Sequence, residues 1–103
     1  DARLALEMYA YRIRKYIGAY MAVLGRVDAL VFTAGVGENS PLVRKMSCAG
    51  LGRLGIMLDE TRNQARPAGE IMPIHKNESP VSILVIPTDE ELEIAQQTRA
   101  LLP

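Results

Sequence analysis

The chain has 103 residues, which is enough for one compact domain with a single hydrophobic core. Apolar residues make up 49% and charged residues 23%, a globular composition that excludes a disordered or fibrous chain. The 12 basic and 12 acidic residues balance, so nothing indicates a nucleic-acid or anionic-membrane partner. No apolar run reaches about 18 residues, so no membrane span is predicted. The single cysteine, Cys48, excludes an internal disulfide and favours a reducing, cytoplasmic location.

The first predicted element is a helix over residues 3–24. Its apolar positions recur at steps of three and four, so they share one face. They are Leu6, Tyr9, Ala10, Ile13, Ile17, Tyr20, Met21 and Leu24. Gly25 is a natural C-terminal stop. Because the chain begins at Asp1, without an initiator Met and already in this helix, we interpret it as a piece of a longer protein.

Two apolar runs predict buried strands. Residues 29–33 do not alternate between apolar and polar, which favours a strand covered on both faces, and residues 81–86 form a second such run. Residues 71–74 are a candidate edge strand, because Pro73 cannot donate to a central ladder. The polar residues 59–69 are expected to form a surface loop.

Two further helices complete the predicted order. One begins with Ser40 as N-cap and Pro41 in the first helical position, and it is expected to bury Leu42, Val43 and Met46. The other covers about residues 89–101. Helix, strand, helix, edge strand, strand and helix together predict an α/β fold with helices packed on a small sheet.

The segment between the first strand and the second helix is the first candidate ligand site. Two glycines at a strand end permit close backbone approach to a ligand, and the helix start that follows offers unpaired N–H groups and partial positive charge. The pattern lacks the third glycine of a dinucleotide fingerprint and the lysine of a P-loop. A plain tight turn therefore remains an alternative on the residues alone.

The second candidate follows the other buried strand at Pro87. Thr88 and Glu91 have the spacing of a capping box, which explains these residues without any ligand. Alternatively, a carboxylate here supports Mg²⁺, which needs little more than one carboxylate together with nucleotide phosphates. If Glu91 is used by the cap, Glu90 is the freer candidate. For Glu90 and the glycine segment, residues 35–39, to share one pocket, the two buried strands must end side by side.

Residues 31–44, VFTAGVGENSPLVR, closely resemble the acetate kinase segment usually written FTGGIGENS. Residues 16–20, residues 54–56 with 58–59, and residues 85–92 also resemble that family, in the same order along the chain. The family more often has Gly where this chain has Ala34, and Asn where it has Asp89. Four separated blocks covering essentially the whole chain make the resemblance much more specific than either motif alone.

The resemblance implies a fold and an activity. The fold is the actin-like, ribonuclease H-like ATPase fold, with this chain, residues 1–103, as a single C-terminal part of the nucleotide-binding domain. The activity is transfer of the ATP γ-phosphoryl to a short carboxylic acid with Mg²⁺. The residues expected to bind the nucleotide are Gly35, Val36, Gly37, Glu38 and Asn39, and Glu90 is expected to bind the metal. A cytoplasmic homodimer is the expected form, and propionate or butyrate kinase remains an alternative activity.

The same resemblance places the catalytic aspartate, the histidines and the carboxylate-binding arginines upstream, so no catalytic residue is assigned here. His75 matches none of them and is expected to be a surface residue. Cys48 is expected to pack in the core. The tyrosines of the first helix are expected to serve packing and interfaces. A non-catalytic interaction module, using the apolar first helix as its surface, remains an alternative of a different class.

Overall fold

The computed structural model describes residues 1–33, 39–65 and 70–87. Within them, α1 spans Ala2–Leu24, β1 Ala29–Thr33, α2 Pro41–Cys48, α3 Glu60–Gln64, β2 Met72–Pro73 and β3 Ser82–Ile86. A short 3-10 helix, Gly52–Leu54, lies between α2 and α3. These elements form the predicted mixed α/β arrangement of helices and a small sheet. The predicted helix over residues 89–101 lies outside the described residues.

The ends of α1 have local causes. The Asp1 carboxylate accepts hydrogen bonds from the backbone N–H groups of Arg3 and Leu4, which satisfies two of the donors that a helix start leaves unpaired. The helix ends at Gly25, whose φ of 72° lies in the left-handed region that glycine adopts without steric cost. The stop at Gly25 is therefore confirmed.

The three strands form one sheet in the order β1-β3-β2. β1 and β3 pair in parallel, whereas β2 pairs antiparallel with β3 at the sheet edge. Pro73 in β2 fits that edge position, as predicted, because a proline N cannot donate to a second neighbour.

The hydrophobic core lies between the sheet and α1 and α2. Eight buried side chains form its central cluster: Ile17, Phe32, Cys48, Ile56, Ile74, Val81, Ile83 and Val85. β3 is the central strand and contributes Ile83 and Val85, both with 0% exposure. Burial of this apolar surface is the main force that holds the helices on the sheet.

The sequence predicted that β1 is covered on both faces, but the described residues leave one of them partly exposed. Phe32 is buried, but Val31 keeps 43% of its surface exposed within this chain. The apolar run shows that β1 has little polar surface. It does not show that the described residues cover both faces of the strand.

The predicted face of α1 is only partly buried. Ala10 and Ile17 are buried, whereas Tyr20 and Leu24 are 62% and 63% exposed. The exposed tyrosines therefore do not serve packing among the described residues.

The surface loop predicted over residues 59–69 is wrong for its first part, which contains α3. The Asp59 carboxylate caps this helix by accepting from the N–H of Arg62 at 3.0 Å. α3 has no apolar stripe, so the pattern that predicts helices is absent. Its buried residue is the polar Asn63, which binds α2.

Candidate functional site

The carboxyl ends of β1 and β3 lie side by side. The two strands are in register from Ala29 opposite Ser82 to Thr33 opposite Ile86. The chain therefore leaves both strands at the same edge of the sheet, which is where open α/β sheets bind their ligands. The expected adjacency of the two strand ends is confirmed.

The candidate residues on the two exits are described only at Asn39. Asn39 is exposed and stands immediately before the N-cap of α2. Gly35, Val36, Gly37 and Glu38, which follow β1, lie outside the described residues, as does Glu90, which follows β3. Their roles stay predictions.

The start of α2 is built as predicted. The Ser40 hydroxyl accepts a hydrogen bond from the N–H of Val43 at 3.2 Å, and Pro41 occupies the first turn, where a missing N–H costs nothing. The partial positive charge of this helix start therefore lies at Ser40, seven residues beyond the end of β1 at Thr33. Such a charge suits an anionic ligand.

The buried side of α2 differs from the prediction. Val43 is buried as predicted, but Leu42 and Met46 are only half-buried, and Arg44 and Ser47 have 0% exposure. The Ser47 hydroxyl donates to the Val43 carbonyl at 2.7 Å, which satisfies it within the helix.

Arg44 is the one charged side chain that is fully buried among the described residues. Its Nε donates to Asn63 Oδ1 at 2.7 Å, and its Nη2 donates to the Asn63 carbonyl at 2.8 Å. Burial lowers the pKa of Arg44, an effect that the nearby Cys48 opposes, yet an arginine stays protonated in proteins. The sequence did not predict the burial of Arg44, because a charged residue on a short helix usually faces solvent.

His75 is not the surface residue that the sequence predicted. It is half-buried, and its Nδ1 accepts a hydrogen bond from the N–H of Ile83 at 2.9 Å. The imidazole therefore serves as an acceptor for the central strand, which requires Nδ1 to be unprotonated. This role is structural, and His75 is not adjacent to the strand ends at Thr33 and Ile86.

Cys48 is a packing residue, as predicted. It is 4% exposed, and burial raises the pKa of its thiol to about 12 although Arg14 and Arg44 act in the opposite direction. Arg14, which the helical pattern placed away from the core, is half-buried and donates from Nη1 to the Ala49 carbonyl. This contact joins α1 to the end of α2.

An apolar groove of about 410 Å³ runs between α1 and β1. Tyr16, Tyr20, Leu24 and Val31 are exposed side chains along it. It borders the first three residues of β1, Ala29, Leu30 and Val31, and is a separate feature from the edge where β1 and β3 end. Apolar surface of this kind usually marks contact with more protein.

No group of three or more His, Cys, Asp or Glu side chains that could hold a metal ion occurs in residues 1–33, 39–65 and 70–87. A magnesium site needs fewer protein ligands, because Mg²⁺ keeps several waters and takes phosphate oxygens. The predicted donor set thus depends on Glu90. In the same part of the chain, none of the helices has the length and hydropathy needed to cross a membrane.

Two parallel strands that end together in a small mixed sheet, with helices packed on it, define a mixed α/β protein. The family model of the acetokinase family matches residues 1–96. The chain therefore belongs to the acetokinase family.

Relatives and solved structures agree with this assignment. The chain is 61% identical over 97 residues to acetate kinase from Syntrophobacter fumaroxidans, and the matched region covers 94% of this chain and 23% of that protein. The crystal structure of Porphyromonas gingivalis acetate kinase matches with a TM-score of 0.82 and 48% identity, over 99% of this chain and 25% of that one. The crystal structure of a propionate kinase from Francisella tularensis matches with a TM-score of 0.72 and 40% identity, over 98% of this chain and 25% of that one. The chain thus spans about a quarter of the length of each.

Proposed function

We propose that this chain is the C-terminal part of an acetate kinase, which transfers the γ-phosphoryl of ATP to acetate and gives acetyl phosphate and ADP. The observation that carries the proposal is the 61% identity to an acetate kinase over nearly the whole chain. The side-by-side ends of β1 and β3 support it, because they provide the sheet edge that a nucleotide site requires.

The nucleotide is proposed to contact Gly35, Val36, Gly37, Glu38 and Asn39. Glycines let the backbone approach the adenosine closely, and the Asn39 amide can donate to and accept from base or ribose. The exposure of Asn39 at the start of α2 fits this role. The proposed domain is of the actin-like, ribonuclease H-like ATPase fold.

The proposed metal residue is Glu90, four residues beyond the end of β3. Mg²⁺ bound with ATP neutralises phosphate charge during transfer, and the protein contributes mainly positioning and electrostatic stabilisation. The Glu90 carboxylate holds the ion directly or through water. The register of Thr33 with Ile86 supports a shared site for Glu90 and the glycine segment.

The proposed activity requires residues outside this chain. About three quarters of the relatives' length has no counterpart here, and we place the catalytic aspartate, the histidines and the carboxylate-binding arginines in that part. The groove between α1 and β1, and the side of β1 opposite β3, are then covered by the rest of the protein. The complete protein is proposed to be a cytoplasmic homodimer.

A chimaera tests this function. The chain is joined to the upstream three quarters of the Syntrophobacter fumaroxidans kinase, and acetyl phosphate is trapped as the hydroxamate. We expect turnover by the chimaera and none by the chain alone or the upstream part alone. Robust acyl phosphate formation by the isolated chain, or a folded but inactive chimaera, would contradict the proposal.

A second candidate is propionate kinase, because the chain is 40% identical to a propionate kinase from Francisella tularensis. The family resemblance places the acceptor pocket upstream, so the comparison belongs in the full-length protein. A higher kcat/KM for propionate than for acetate would select this alternative.

The alternative of a non-catalytic module draws on the exposed tyrosines of α1 and the apolar groove. Light scattering with and without ATP and Mg²⁺ separates it from a kinase. Self-association that ignores nucleotide favours the module, whereas saturable nucleotide binding favours the kinase.

A further inference from the structure

A buried polar cluster joins the start of α2 to α3. Arg44 on α2 and Asn63 on α3 both have 0% exposure. The guanidinium donates twice to Asn63, from Nε to Oδ1 at 2.7 Å and from Nη2 to the main-chain carbonyl at 2.8 Å. Two donors in one rigid plane fix the orientation of Asn63 as well as its distance.

Asn63 makes a third contact that reaches the first turn of α2. Its Nδ2 donates to the Pro41 carbonyl at 2.9 Å. The side-chain amide therefore uses its acceptor on Arg44 and a donor on Pro41, so one residue of α3 holds two points of α2. No buried side-chain N or O atom lacks a hydrogen-bond partner among the described residues.

Stability alone does not explain such a cluster. Taking a guanidinium out of water is costly, and well-packed apolar residues often replace a buried charge without loss of stability. What apolar residues do not reproduce is directional bonding, which allows one arrangement of the two helices and penalises others.

The geometry points to Arg44 and Asn63 as positioning residues that fix the C-terminal end of the proposed nucleotide-binding segment, residues 35–39. The segment after Thr33 begins at a strand end fixed by β3 and finishes at α2, whose first turn is held through Pro41. A shift of that turn displaces Asn39, which immediately precedes the Ser40 cap, against the bound adenosine. This inference rests on the proposed nucleotide site, and it assigns no contact between Arg44 and ATP.

Asn63→Asp in the full-length kinase is the sharpest test. The carboxylate keeps an acceptor for Arg44 but loses the donor to Pro41, so the helix pair stays joined while the first turn is released. We expect KM for ATP to rise roughly tenfold, since small misplacements have large effects on positioning, with KM for acetate and the unfolding midpoint near those of the parent.

The exposed ion pair of Lys45 with Glu60 provides a matched control. It also links α2 to α3, at 3.5 Å, but both side chains are more than half exposed. Lys45→Met should therefore leave KM for ATP unchanged. The double variant Arg44→Met with Asn63→Leu should have a KM for ATP no higher than that of the more impaired single variant, because both substitutions remove the same hydrogen-bonded contact.

The outcomes separate this inference from the proposed function. A parent protein without ATP turnover overturns both. A parent that turns over ATP, with Asn63→Asp unchanged in KM for ATP or with equal rises in KM for ATP and acetate, overturns the positioning role alone. If Asn63→Asp does not fold, Arg44→Lys takes its place, because lysine keeps the charge without the paired donors. A parent-like KM for ATP in Arg44→Lys then rejects the inference.

Discussion

Removing the cap of α2 with Ser40→Ala tests whether the helix start after the glycine segment is locally fixed. The Ser40 hydroxyl accepts from the N–H of Val43 at 3.2 Å, at the long end of the normal range, and it is partly buried. Loss of a serine N-cap typically costs about 1 kcal/mol. Because the bond is long, we expect the lower half of the measured range, about 0.5–1 kcal/mol.

Native-state hydrogen exchange of the full-length protein measures this cost directly. A loss of about 0.5–1 kcal/mol corresponds to roughly 2- to 5-fold faster exchange of the Val43 amide. Ser40→Thr, which keeps an acceptor, should restore most of the protection, and Ser40→Ala should also raise KM for ATP modestly. Unchanged exchange at Val43 in Ser40→Ala would refute the reasoning, because it would mean that the cap does not stabilise the helix start.

Three further predictions concern Cys48, His75 and Glu90. Because burial raises the pKa of Cys48 to about 12, the stability that the protonated thiol contributes is present below the ordinary thiol pKa and is lost as the pH rises toward 12. At pH 8, peptide mass spectrometry should find that iodoacetamide labels Cys48 roughly 1000-fold more slowly in the folded than in the unfolded protein. Equal labelling rates would disprove this prediction. His75→Ala should lower the free energy of unfolding in urea by about 1–3 kcal/mol, because the N–H of Ile83 loses its acceptor, whereas His75→Asn, which offers an oxygen nearby, should lose less; equal losses would argue against the bond. Glu90→Gln should raise the Mg²⁺ concentration needed for half-maximal turnover while the protein stays folded, and an unchanged Mg²⁺ dependence would leave only a capping role for this region.

The sequence predicted the elements whose causes are local. β1 begins and ends at the predicted residues, because a short apolar run bounded by a glycine turn has few other conformations to adopt. The Ser40 and Pro41 start of α2 is confirmed for the same reason, since cap and first turn are set by adjacent residues.

Features that depend on distant residues were missed. α3 has a polar sequence, and its inward contact is with Arg44, which is 19 residues earlier in the chain. The cap at Asp59 was the local signal that could have revealed it. The burial of His75 depends on its pairing with Ile83, which no local pattern encodes.

The candidate site divides in the same way. The two strands were expected to end side by side, and the parallel pairing of β1 with β3 confirms this adjacency. The exposed face of β1 was not foreseen, because apolar residues predict burial without naming what covers them. The ligand roles of the glycine segment and Glu90 were suggested by the residues and specified by the family resemblance, and they stay predictions.

Paramagnetic broadening by Mn²⁺ in place of Mg²⁺ tests most directly whether ATP and its metal bind where β1 and β3 end. In the methyl-labelled full-length protein with ATP, Ile86 lies at the carboxyl end of β3 and Val81 precedes its other end, about 17 Å away at roughly 3.3 Å per residue. The account predicts strong broadening of the Ile86 methyl signal and little at Val81. Stronger broadening at Val81, or none at either residue while ATP turnover continues, would contradict it.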